Sequence, residues 1–110
     1  MAGKFELYED KAGEFRFRLK AGNGENILAS EGYKDKSGAT NGIESVKKNA
    51  SDESRFEEKT SESGKHYFVL KAANHQVIGM SQMYETADGC KNGIKSVMTN
   101  APDARVEEVE

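Results

Sequence analysis

Two histidines and one cysteine are the side chains of this sequence best suited to act as bases, metal ligands or nucleophiles near neutral pH. His66 shares one side of the alternating run "HYFVLK" with Phe68 and Leu70, so it reads as a partly buried, hydrogen-bonded histidine rather than a general base. His75 lies in "ANHQ", where an earlier copy of the same segment has Gly24; it reads as a turn residue, with a ligand contact as the alternative. Cys90 falls on an apolar helical stripe and reads as a small buried hydrophobe. Neither histidine has zinc-ligand spacing, and one cysteine cannot complete a cysteine-rich site, so no metal is expected. Glu57 and Glu58 are adjacent on a strand and point to opposite faces, which separates them as an acid/base couple. No G-x-x-x-x-G-K-[ST] loop is present, and "AGNGE" is better explained as a hairpin turn. Neither a cofactor nor an enzymatic activity is expected.

Binding chemistry is better represented. "FRFRLK" puts Arg16, Arg18 and Lys20 on one strand face, and "HYFVLK" puts Tyr67, Val69 and Lys71 on the matching one, with Glu6 joining them. A basic sheet face with an aromatic can hold single-stranded nucleic acid through phosphate contacts and base stacking. Opposing this are the net charge of −3 and a pI near 5.5. The favoured expectation is a small non-catalytic module that binds an unidentified protein partner. It would act through this open face or through the turns carrying Asn23, Asn74 and His75. RNA or single-stranded DNA binding by Arg16, Arg18, Lys20, Tyr67 and Lys71 is the alternative, and a ligand pocket around His66 or His75 a third. Met80, Met83 and Tyr84 cluster in sequence and suit either a partner contact or the core.

The elements that position these residues come from a duplication. "NGIESVKKNA" at 41–50 returns as "NGIKSVMTNA" at 92–101. At an offset of 51, about twenty of some fifty positions are identical, against about three expected by chance. Each copy begins with two alternating strands joined by a glycine-containing polar loop. A tighter turn ("GNGE", "ANHQ") leads to a third strand near Asn26–Ser30 and Val77–Met83. The period then changes: Ala39, Gly42, Ile43 and Val46, like Cys90, Gly93, Ile94 and Val97, follow i, i+3, i+4, i+7 and predict a helix. Asp35 or Ser37 and Thr86 or Asp88 are candidate N-caps, and Asn49 and Asn100 candidate left-handed closing residues. "RVEE" at 105–108 echoes "RFEE" at 55–58 and predicts a closing strand.

The predicted fold is α+β: two tandem β-β-β-α repeats, about 4–54 and 55–108, plus a C-terminal strand. They share one mainly antiparallel sheet with both helices on one face, in a single domain over 1–110. One copy is too small to fold alone. The sequence shows no apolar run of the ~20 residues that span a membrane. With the lone cysteine this points to a cytoplasmic protein, and duplication to a monomer of pseudo-two-fold symmetry.

With "FRFRLKAGNGE", "FVLKAANHQVIGMSQMY" and the doubled "NGI" phrase, the sequence resembles the YegP-like family of small uncharacterised bacterial and archaeal proteins. The resemblance covers nearly the whole chain. It implies β3-α-β units that join two repeats or two subunits in one sheet and exchange the last strand. It implies no catalytic residue.

Overall fold

The structure, a computed structural model, describes residues 3–109. The alternating segments form β1 (Lys4–Glu9), β2 (Phe15–Lys20) and β3 (Asn26–Ala29), followed by helix α1 (Lys36–Asn49). The second copy gives β4 (Phe56–Thr60), β5 (His66–Lys71), β6 (Val77–Met80) and α2 (Ala87–Asn100), and the chain closes with β7 (Arg105–Glu108). A 3-10 turn at Glu53–Arg55 leads from α1 into β4.

All seven strands form one sheet in the order β4-β5-β6-β3-β2-β1-β7. Neighbours are antiparallel except β1 and β7, which run parallel. The predicted α+β architecture, with its two repeats and a closing strand that pairs outside its own repeat, is the one observed. β3 and β6 meet at the centre, where Ala29 pairs with Met80. Each helix bridges the copies: α1 packs on β2 and β6, and α2 on β5 and β3. The apolar residues of both copies therefore form one core beneath both helices.

Repeated details show how each unit packs. Phe17 stacks on Tyr33 at 6.3 Å, and Phe68 on Tyr84 at 6.4 Å. A Cβ on Gly42 would lie 2.8 Å from Phe17 Cε2, and one on Gly93 2.3 Å from the Tyr84 hydroxyl. These helical glycines cost roughly 0.8–1.0 kcal/mol in propensity against alanine, but they let the helix approach the aromatic pair. Ser30 and Ser81 close each third strand. Their hydroxyls accept the N–H of Phe17 and Phe68 at 2.9 and 3.0 Å and donate to the next carbonyl at 2.8 Å.

At the symmetry axis the copies differ in size. Leu28 corresponds to Gly79, and a Cβ on Gly79 would stand 2.7 Å from Leu28 Cδ2. On the opposite face the order reverses, with small Ala29 beside large Met80.

Several local expectations are corrected. Asn49 and Asn100 are right-handed helical residues followed by αR Ala50 and Ala101. Their amides donate to the carbonyls of Ser45 and Ser96 at 2.8 Å, so they satisfy the last turn from within. Thr86 caps α2 by accepting the Gly89 N–H at 3.0 Å, whereas Asp35 occupies the N-cap of α1 without a side-chain bond. Ser37 and Asp88 lie inside the helices. The third strands end at Ala29 and Met80, where the Phe17 and Phe68 N–H groups bond the Ser30 and Ser81 hydroxyls instead of main-chain carbonyls.

Candidate functional site

The face without helices is read most directly from strand register. Paired residues run across all seven strands as a single row: Glu57, Val69, Met80, Ala29, Arg18, Glu6 and Glu107. Symmetry pairs Glu6 with Glu57, Arg18 with Val69, and Ala29 with Met80. The first-copy half is therefore polar and the second-copy half mainly apolar.

On the polar half the charges are mutually neutralised. Glu6 is only 6% exposed and receives Arg18 Nε at 2.6 Å, with Lys20 and Lys4 at 3.5 and 3.6 Å. The Arg18 hydrogen bond holds the Glu6 carboxyl below its ordinary range against the opposing effect of burial, helped by the charges of Arg18 and Lys20. The Arg18 guanidinium also lies 4.6 Å above the Tyr8 ring centroid. Arg16 Nε donates to Asp10 at 2.6 Å, and this bond, followed by the Glu14 N–H, lowers the Asp10 carboxyl. On the second-copy half, Lys71 reaches Glu57 at 2.6 Å, and Lys71 is the main cause of the lowered Glu57 carboxyl. Each of the candidate basic residues Arg16, Arg18, Lys20 and Lys71 thus has a carboxylate partner. The paired carboxylates reduce the net positive charge that a phosphate would meet.

The apolar half is different. Val69 was expected on an open face, but Met80 and its other neighbours leave it 4% exposed. Met80 and Val77 project beyond it at 48% and 42% exposure. Arg16, Ala29 and Glu31 join them around a recess of about 280 Å³. This is below the ~300–1,000 Å³ of small-molecule sites and suits one inserted apolar side chain. A recess of about 400 Å³ lies among β1, β7 and α1, but an ion pair joins its lining residues Lys36 and Glu108.

The turn candidates serve the turns themselves. Asn23 Oδ1 accepts the Glu25 N–H at 3.0 Å, and Asn74 Oδ1 the Gln76 N–H at 3.1 Å. His75 is exposed at φ 69°, matching Gly24 at φ 86°. His66 is half-buried, and its backbone pairs with Tyr84 at 2.7 and 2.9 Å. Among the described residues its imidazole has no hydrogen-bond partner, so the expected side-chain bond is absent. Cys90 is buried, which pushes its thiol upward, with the Glu58 charge adding to this. Met80, Met83 and Tyr84 do not form one group: Tyr84 stacks beneath α2, while Met80 lies on the helix-free face.

Tyr67 is half-buried on this face, opposite Lys59. Tyr8, Val77 and Met80 also belong to this face, a membership the alternating-strand pattern alone does not assign. The signal for the last two was present in the repeat, since Asn26 aligns with Val77 and Ala29 with Met80.

Comparison with known proteins places this architecture. A UPF0339 protein in the ptx operon 5' region of Stutzerimonas stutzeri is 63% identical, covering 99% of this chain and 98% of its own. The UPF0339 protein YegP of Escherichia coli K12 is 54% identical, covering 98% of each. The solution NMR structure of the E. coli protein of unknown function YegP matches with a TM-score of 0.93 at 54% identity, covering 98% of this chain and 93% of that one. A solution NMR structure of a Shewanella oneidensis UPF0339 protein matches with a TM-score of 0.92 at 51% identity, covering 98% and 92%. The family model described as "domain of unknown function (DUF1508)" matches residues 10–57 and again 61–108, one match per repeat. The chain therefore belongs to the DUF1508 family, as a YegP-like member with two tandem repeats.

Proposed function

We propose that the protein is a non-catalytic interaction module that docks an apolar side chain of a protein partner on the second-copy half of its helix-free face. The observation that carries this reading is the replacement of first-copy Asn26 and Ala29 by Val77 and Met80, which stand 42% and 48% exposed. The fold is served by Asn26 and Ala29 at the same places, so packing does not demand larger apolar groups there. Fully covering a side chain of this size contributes roughly 1.5–3 kcal/mol. The surrounding paired charges would form a polar rim of the kind found at protein interfaces. The neutralised arginines and lysines favour a protein over a nucleic acid. Among the described residues no helix is long and apolar enough to cross a membrane. With a single buried cysteine, a reducing cytoplasm and a monomeric state complete the proposal.

The test uses the first copy as a template. Tagged wild type and the Val77→Asn/Met80→Ala variant are compared in pull-downs from host lysate, with and without nuclease. A partner retained after nuclease and lost by the variant supports the reading. A partner captured equally by both, or lost with nuclease and with Arg16→Glu/Arg18→Glu, overturns it.

A further inference from the structure

β1 and β4 are corresponding strands, but their outer edges differ. On β1, β7 runs parallel with Phe5 opposite Val106 and Glu6 opposite Glu107, and the Val109 N–H donates to the Leu7 carbonyl at 2.9 Å. Leu7 corresponds to Glu58 on β4, which among the described residues has a neighbour only in β5. The connection from α1 passes through Glu53–Arg55 directly into β4, so no segment is left to lie beside it. Such an edge offers unpaired N–H and C=O groups to an incoming strand.

We propose that the free edge of β4 binds an extended acidic peptide segment in parallel register, as β7 lies on β1. Charge specifies this occupant. Beside β4, α2 presents Lys91 and Lys95 around Ile94, in a recess of about 240 Å³ shared with Glu53 and Glu58. Neither lysine has a carboxylate within 4.0 Å among the described residues. The same positions of α1, the helix associated with the covered strand, are Thr40 and Glu44. The resident strand shows the pattern: β7 is held through Glu107 by Lys4 and through Glu108 by Lys36. Just before β4 the counterpart of Lys4 is Arg55, which lies 3.5 Å from Asp52, so the positive charge free for an incoming strand comes from Lys91 and Lys95 on the helix side. This site is separate from the Val77–Met80 recess and does not depend on it.

The probe is a capped peptide with the sequence of residues 104–109, ARVEEV, titrated into the uniformly 15N-labelled full chain and followed by amide chemical shifts. Its charge-reversed form, ARVKKV, is the control. Expected are shifts grouped on Phe56–Thr60 and Lys91–Lys95, an affinity at least fivefold weaker for ARVKKV, and a similar loss in Lys91→Glu/Lys95→Glu. Glu58→Pro removes the N–H aligned with the pairing position at Leu7. An edge strand tolerates proline where its N–H faces solvent, so this variant should keep its dispersed spectrum and lose the response. Absence of shifts at β4, equal responses to both peptides, or shifts confined to β1 and β7 would overturn the proposal; the last would indicate strand exchange.

Discussion

Leu28 occupies the volume that its symmetry mate Gly79 leaves empty: a Cβ on Gly79 would stand 2.7 Å from Leu28 Cδ2 and 2.8 Å from its Cγ. The two positions face the same space across the pseudo-two-fold axis, and only one can carry a large side chain. Two first copies brought together would place leucine against leucine, and two second copies would leave a void. The duplicated chain can use an unequal pair because its halves evolve separately.

The expected result is that Gly79→Ala destabilises the protein by about 1–3 kcal/mol through overpacking. Leu28→Ala should cost about 2–5 kcal/mol, since Leu28 is only 2% exposed. In the double variant the new methyl occupies space the leucine has vacated, so its cost should fall below the sum of the single costs. Urea denaturation of the four proteins measures the coupling. Simple additivity would show that the two sites do not share that space.

Glu6 gives a pH prediction. Its carboxyl lies below its ordinary value of 4.5, chiefly through the Arg18 hydrogen bond. A depressed carboxylate stabilises the fold above the unfolded-state value, and this contribution disappears as pH falls through the lower folded-state value. Glu6→Gln should therefore cost about 1–2 kcal/mol at pH 7, a figure kept low because solvent screens part of the network. The gap from wild type should narrow as pH drops below 4.5. Thermal unfolding of both proteins across that range checks it, and a constant gap would remove Glu6 ionisation as the cause.

His75 holds the left-handed conformation that Gly24 holds in the first copy. His75→Gly should relieve the strain of a side chain at positive φ, offset in part by the greater freedom of glycine in the unfolded chain. A net gain of about 0.5–1 kcal/mol in denaturant is expected. A loss of stability would mean that the imidazole makes a contribution larger than the strain.

Most of the fold could be read because the sequence states it twice. The change from alternating residues to the Ala39–Gly42–Ile43–Val46 stripe marks each strand-to-helix transition, and the second copy removes ambiguity from the first. Asn49 and Asn100 depart from the left-handed expectation for a physical reason. The same amide that favours a left-handed residue can also reach back to Ser45 or Ser96 once a helix exists, and spacing does not distinguish these outcomes. The burial of Val69 depends on the register that brings Met80 beside it, a long-range choice. Which of two similar strands receives β7 is also tertiary information, because "KFELYE" and "RFEEK" alternate alike. The apolar character of one half of the face was legible by comparing Asn26 and Ala29 with Val77 and Met80.

The β1–β7 pairing also sets an order of events. Lys4 and Glu107, which hydrogen-bond across it, are 103 positions apart. Closing so long a loop costs about 2 kcal/mol more chain entropy than closing a ~10-residue hairpin. The hairpins β1–β2 and β4–β5 can form from nearby sequence, while β7 must wait for the other end of the domain. During that interval β1 and β4 are equally uncovered, and a crowded population of nascent chains has two edges per molecule through which to aggregate. Docking of β7 then covers the six-residue β1 and leaves the shorter, four-residue β7 as the sheet's edge in its place.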